Sequence, residues 1–141
     1  MRAAGDQRVA SISGDLRAEG AAVPQARHLV EDFARRHGAD DDLCARVALA
    51  ASEAVSNVVR HAYAEPERGH RRGLIHYAVG LAGGDLELVV LDDGGGIRPD
   101  AQSDGAGLGL RMIAQLADDF AIRARRRGLE VWMRFALGAC T

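Results

Sequence analysis

A chain of 141 residues is long enough for one domain with its own core and short for two. With 48% hydrophobic residues, 27% charged residues and a net charge of -2, the composition is that of a globular protein. It excludes a disordered or membrane-embedded chain and gives direct nucleic-acid binding no electrostatic support.

Residues 1–7 read as a flexible N-terminus and 8–138 as a single domain. Arg8 to Leu16 alternates weakly, as an edge strand does. Pro24 suits the first turn of a helix that runs to about His37 and stops at Gly38, with Ala26, Leu29, Val30 and Phe33 as its apolar face. One of Asp40, Asp41 and Asp42 can cap the next helix, and the others suit its positive end. That second helix, rich in alanine, should end near Ala64, before Pro66. Residues 65–72 form a polar loop. Gly73 to Leu81 and Asp85 to Leu91 read as strands joined by a turn at Gly83 and Gly84. Arg98 to Ala106 has no apolar periodicity. A third helix starts at Leu108, burying Leu110, Ile113, Leu116 and Ala117. Phe120 to Arg126 and Leu129 to Leu137 make a last hairpin about Gly128. Three helices on one face of a mostly antiparallel mixed sheet give an α+β fold, a two-layer α/β sandwich.

No apolar run follows the start, nothing approaches the roughly 18 apolar residues of a membrane span, and Cys44 and Cys140 lack metal-ligand spacing. These features predict reduced thiols, a cytoplasmic location and no membrane partner. All 18 basic residues are arginine, which rules out a P-loop and its phosphate-binding lysine.

Three local patterns invite chemistry. Glu53, Asn57 and His61 recur every fourth residue and share a helix face beside the apolar stripe of Val47, Ala51, Ala54, Val58 and Ala62. Taken alone, the row is equally a solvated face. Asp92, Gly94 and Gly96 end an apolar strand; a carboxylate there can accept from an exocyclic amine while bare backbone lets a flat ring approach. An acidic turn has the same residues. Gly105, Gly107 and Gly109 open a helix whose free N–H groups and positive end suit a phosphate, though a hinge before a helix reads the same way.

The order of these three patterns resembles the GHKL ATP-binding superfamily of gyrase, Hsp90-type chaperones, histidine kinases and MutL-type proteins. The nearest likeness is to the anti-sigma factor serine/threonine kinases, over about Arg8 to Leu137. The resemblance implies ATP and Mg²⁺ as cofactors, with Asn57 as the metal ligand, Glu53 as the catalytic base and Asp92 at the adenine amine. It assigns Gly94, Gly96 and Ile97 to the first glycine box, and Gly105, Gly107, Leu108 and Gly109 to the second, at the phosphates. Glutamate rather than asparagine at position 53 favours an enzyme that activates a hydroxyl or water over a histidine kinase. An anti-anti-sigma (STAS) substrate, a sigma factor partner and a homodimer are also implied. The span from Ile97 to Ala106 is short for the family's lid, which keeps a non-catalytic ATP-binding regulatory module as the alternative. Arg60, His61 and Arg98 receive no role.

Overall fold

The structure, a computed structural model, describes residues 8–62, 73–94 and 106–138. Five strands, β1 (Arg8–Arg17), β2 (Leu74–Ala82), β3 (Asp85–Asp92), β4 (Asp119–Ala124) and β5 (Leu129–Ala136), form one sheet in the order β1-β2-β3-β5-β4. Every described pairing is antiparallel. β1 lies at one edge, as its weak alternation suggested. β5 is inserted between β3 and β4, so the last strand of the chain is internal and β4 forms the other edge.

Alternation decides which face is covered. Along β3, Leu86, Leu88, Val90 and Asp92 are buried and their neighbours are not. Directly opposite residues share a face, so Val131, Met133 and Phe135 of β5 and Ile75 and Val79 of β2 line the same side. Leu86, Leu88, Met133, Phe135 and Ile75 are fully buried, each contributing about 1.5–3 kcal/mol of transfer free energy. The tight β2–β3 turn follows from Gly83 and Gly84, which hold φ of 61° and 86°; two successive positive φ values are what a type I′ hairpin turn needs.

Three helices cover that face: α1 (Ala22–Arg36), α2 (Asp41–Asn57) and α3 (Ala106–Leu116). α1 buries Ala26, Val30 and Phe33 and leaves Leu29 half-buried. α2 is capped by Asp40, whose carboxylate accepts from the Leu43 N–H at 2.8 Å, a bond worth about 1 kcal/mol. Its buried face of Val47, Ala51, Ala54 and Val55 is mostly small, which lets α2 sit close to its neighbours. Arg46 reaches across and donates to the Leu116 carbonyl at the end of α3, at 2.9 Å. Cys44 is a buried free thiol; Cys140 lies outside the described residues. Among the described residues no helix is long and apolar enough to cross a membrane.

Two boundaries differ from expectation. α3 takes in Ala106 and Gly107, so the second glycine box lies partly inside the helix's first turn rather than ahead of it. α2 does not run on uniformly toward Ala64: after Asn57 the chain forms a π-helical turn, Val58–Ala62. Residues 63 and 64 lie outside the described residues. π turns are rare and concentrate at functional sites.

Candidate functional site

The inward run of β3 ends not on another aliphatic residue but on Asp92, which is only 2% exposed. A carboxylate so far from water needs partners. Its Oδ1 accepts from the Gly94 N–H at 2.9 Å, and the nearby Leu129 backbone amide favours the charged form of the same carboxylate. Burial pushes its pKa above the ordinary aspartate value, and the neighbouring Asp93 adds to that. The Gly94 and Leu129 backbone amides and the positive charge of Arg125 pull the other way without cancelling it.

Asn57 closes the other side of a shared pocket. Ala54 and Val58 flank it on the helical side, Val90 and Val131 rise from the sheet, and Leu110 and Leu129 come from α3 and β5. Asn57 is 6% exposed, and its Nδ2 has no hydrogen-bond partner among the described residues. An orphaned buried amide costs about 1–3 kcal/mol, a cost that a ligand bearing an acceptor removes. The pocket is therefore apolar-walled, with one carboxylate acceptor and one unsatisfied donor. Its cavity is about 10 Å³, room for a water and no more, so a planar base enters only as the walls part.

Glu53 stands one turn before Asn57 on α2, half-buried, and is not among the pocket walls. Gly94 enters through its backbone N–H alone. Gly107, Leu108 and Gly109 lie in the first turns of α3. Gly96, Ile97, Gly105 and Arg98 lie outside the described residues. Arg60 is exposed in the π turn and His61 half-buried there.

One contributor was not anticipated from sequence. Gly128, in the β4–β5 turn, is buried with φ of 92°. A Cβ placed on it would lie 1.8 Å from the Asp92 carbonyl oxygen and 2.7 Å from Asp92 Oδ1. Only glycine lets this turn press so closely against the end of β3. The same strand end is gripped from the opposite face. His76 Nε2 lies 2.9 Å from Asp93 Oδ2, and its Nδ1 lies 2.6 Å from Asp15 Oδ1. These hydrogen bonds, to Asp93 first and then to Asp15, raise the imidazole pKa above its ordinary value.

Over residues 16–135 the chain matches the histidine kinase-like ATPase domain family. The chain belongs to that family. The superfamily resemblance read from the helix motif and the two glycine boxes is thereby borne out. Among solved structures, this histidine kinase-like ATPase domain is similar to the RsbU and RsbW domains of Rv1364c from Mycobacterium tuberculosis. The identity is 26% and the TM-score 0.71, and the match covers 91% of this chain and 32% of that one. The chain thus spans about a third of that protein's length. No protein of curated function matches it.

Proposed function

We propose that this domain is an ATP-dependent serine/threonine protein kinase of the anti-sigma factor type. In this reading it phosphorylates an anti-anti-sigma antagonist with a STAS domain, alternately sequesters a sigma factor, and works as a homodimer. The observation that carries the reading is the pairing of buried Asp92 with the orphaned amide of Asn57 in one apolar-walled pocket. That combination of one acceptor and one donor fits an adenine nucleotide. Asp92, its carboxylate oriented by the Gly94 and Leu129 amides, accepts from the adenine amine. The apolar walls take the ring faces, and the first turns of α3 offer backbone N–H groups to phosphates. Asn57 has the chemistry to ligate Mg²⁺, which would neutralise phosphate charge there. Glu53, one turn away, takes the proton released as the acceptor's hydroxyl oxygen bonds to the γ-phosphorus and ADP departs. The two charges a phosphate adds then weaken the antagonist's hold on the kinase.

A second reading, an ATP-binding regulatory module without phosphoryl transfer, is favoured by the position of Glu53 outside the pocket walls. Incubating the protein with labelled ATP, Mg²⁺ and the STAS-domain proteins of its genome separates the two. Label on a partner serine or threonine supports the kinase. Tight ATP binding with no label on any partner supports the module. Glu53→Gln should keep ATP affinity and lose transfer; a variant that still transfers phosphate removes Glu53 as base.

A further inference from the structure

The β4–β5 turn presents Arg125, Arg126 and Arg127, all exposed. Among the described residues, Arg35, Arg36, Arg46, Arg123 and Arg134 each reach an acidic partner. The three turn arginines form no ion pair there, and neither do Arg17, Arg27, Arg60 and Arg111. Only the turn sets three such guanidinium groups in succession among the described residues, and of the three Arg125 also acts on Asp92 through its charge. The turn is closed by a bond from the Arg125 N–H to the Gly128 carbonyl at 3.0 Å. It is short and stiff, and its next residue is the one that presses on Asp92. A load on the arginine end is therefore felt at the carboxylate end.

We propose that the Arg125–Arg127 turn is a docking surface for an acidic segment of a partner protein, coupled to the nucleotide pocket through the contact of Gly128 with Asp92. The partner's chemistry follows from the surface: guanidinium forks pair with carboxylates in bidentate fashion. The net negative charge of the chain disfavours a nucleic acid. The coupling rests on the reading of the pocket as a nucleotide site. Its sign is negative, because an acidic segment that engages the turn disturbs the Gly128 contact that holds Asp92 in place. Coupling between two binding sites is reciprocal, so each ligand weakens the other by the same factor.

The test uses the whole chain, a fluorescent oligoglutamate peptide of about ten residues followed by anisotropy, and ATP followed by calorimetry. The peptide should bind the wild type and lose at least about tenfold in affinity in R125Q/R126Q/R127Q. R35Q/R36Q, which removes two arginines at the end of α1, should bind as the wild type does. Saturating ATP should weaken the peptide several-fold, and saturating peptide should weaken ATP equally in the wild type but not in the triple variant. Equal losses in the two arginine variants, or tighter binding of an oligothymidylate of matched length, would overturn the docking surface. Peptide and ATP that ignore each other would overturn the coupling. If the wild type binds peptide but no ATP, the nucleotide reading of the pocket falls and the coupling falls with it. If ATP binds and peptide does not, the docking surface alone falls.

Discussion

Gly128→Ala isolates the contact that holds Asp92 in place. Alanine at a positive φ costs about 1–2 kcal/mol wherever it occurs. At Gly84, with φ of 86° and nothing near its missing Cβ, that is the whole cost. At Gly128, with φ of 92°, the new methyl would also sit 1.8 Å from the Asp92 carbonyl oxygen, where real Cβ atoms essentially never come within 3.0 Å. The turn and the end of β3 must part by roughly 1 Å, a misplacement large enough to matter at a binding site. That motion displaces the Asp92 carboxylate, which the Gly94 N–H and the nearby Leu129 amide hold in place. A hydrogen bond from the adenine amine to a charged carboxylate contributes about 1.5–3 kcal/mol, so losing its alignment should lower ATP affinity about 10- to 150-fold. Thermal melts and ATP calorimetry on Gly128→Ala and Gly84→Ala together make the assay. Gly84→Ala should melt about 3–8 °C lower and bind ATP normally, whereas Gly128→Ala should lose more stability and most of its affinity. A folded Gly128→Ala protein with wild-type ATP affinity would refute the reasoning.

Asp92→Asn should cost ATP at least about tenfold in affinity by calorimetry. A carboxamide that keeps its oxygen on the Gly94 N–H turns its NH₂ toward the adenine amine, donor against donor; undiminished affinity would sink the assignment. Because burial raises the Asp92 pKa, the linkage runs in two directions. The protonated carboxyl stabilises the fold below the ordinary aspartate pKa of about 3.9, and that contribution is lost as pH rises through the raised folded value. Adenosine affinity should instead fall on acidification, beginning above the ordinary aspartate range, in a titration from about pH 7.5 to about pH 4.5. A flat profile would show that the carboxylate is not the acceptor. For His76 the folded pKa is raised, so its clamp is fully present below about pH 6.5 and is lost as pH rises through the folded value. Melting temperature should drop across that window in the wild type and not in His76→Gln.

Much of this architecture could be read from residue order, because its signals are local. The apolar run of β3 announced a strand ending on Asp92, the run of aspartates announced the cap of α2, and Gly83-Gly84 announced a tight hairpin. What escaped reading depends on contacts distant in sequence. Gly128 looked like an ordinary hairpin glycine because nothing local says that β5 slips between β4 and β3. Only that insertion carries the turn onto Asp92 and makes Leu129 and Val131 pocket walls. The start of α3 was placed two residues late, since a glycine weighs against helix, yet Ala106 and Gly107 lie within it. The π turn after Asn57 has no counterpart in periodicity, since a helix that widens for one turn keeps its residue types. The orphaned Asn57 amide is likewise visible only when its whole surroundings are known.

The chain has a single tryptophan, Trp132, and its place in β5 has a practical consequence. It stands in register with Val89 and Ala121, on the side of the sheet opposite the helices, while its neighbour Val131 points into the pocket. The indole is half-buried, so solvent and quenchers reach it. The molecule thus carries one intrinsic fluorophore on the back of the very strand that walls its cavity. Emission from it reports a protein laid over the open side of the sheet directly. A small molecule entering between α2 and α3 reaches the same indole only through the strand itself. The two kinds of event can be followed in one cuvette without attaching a label.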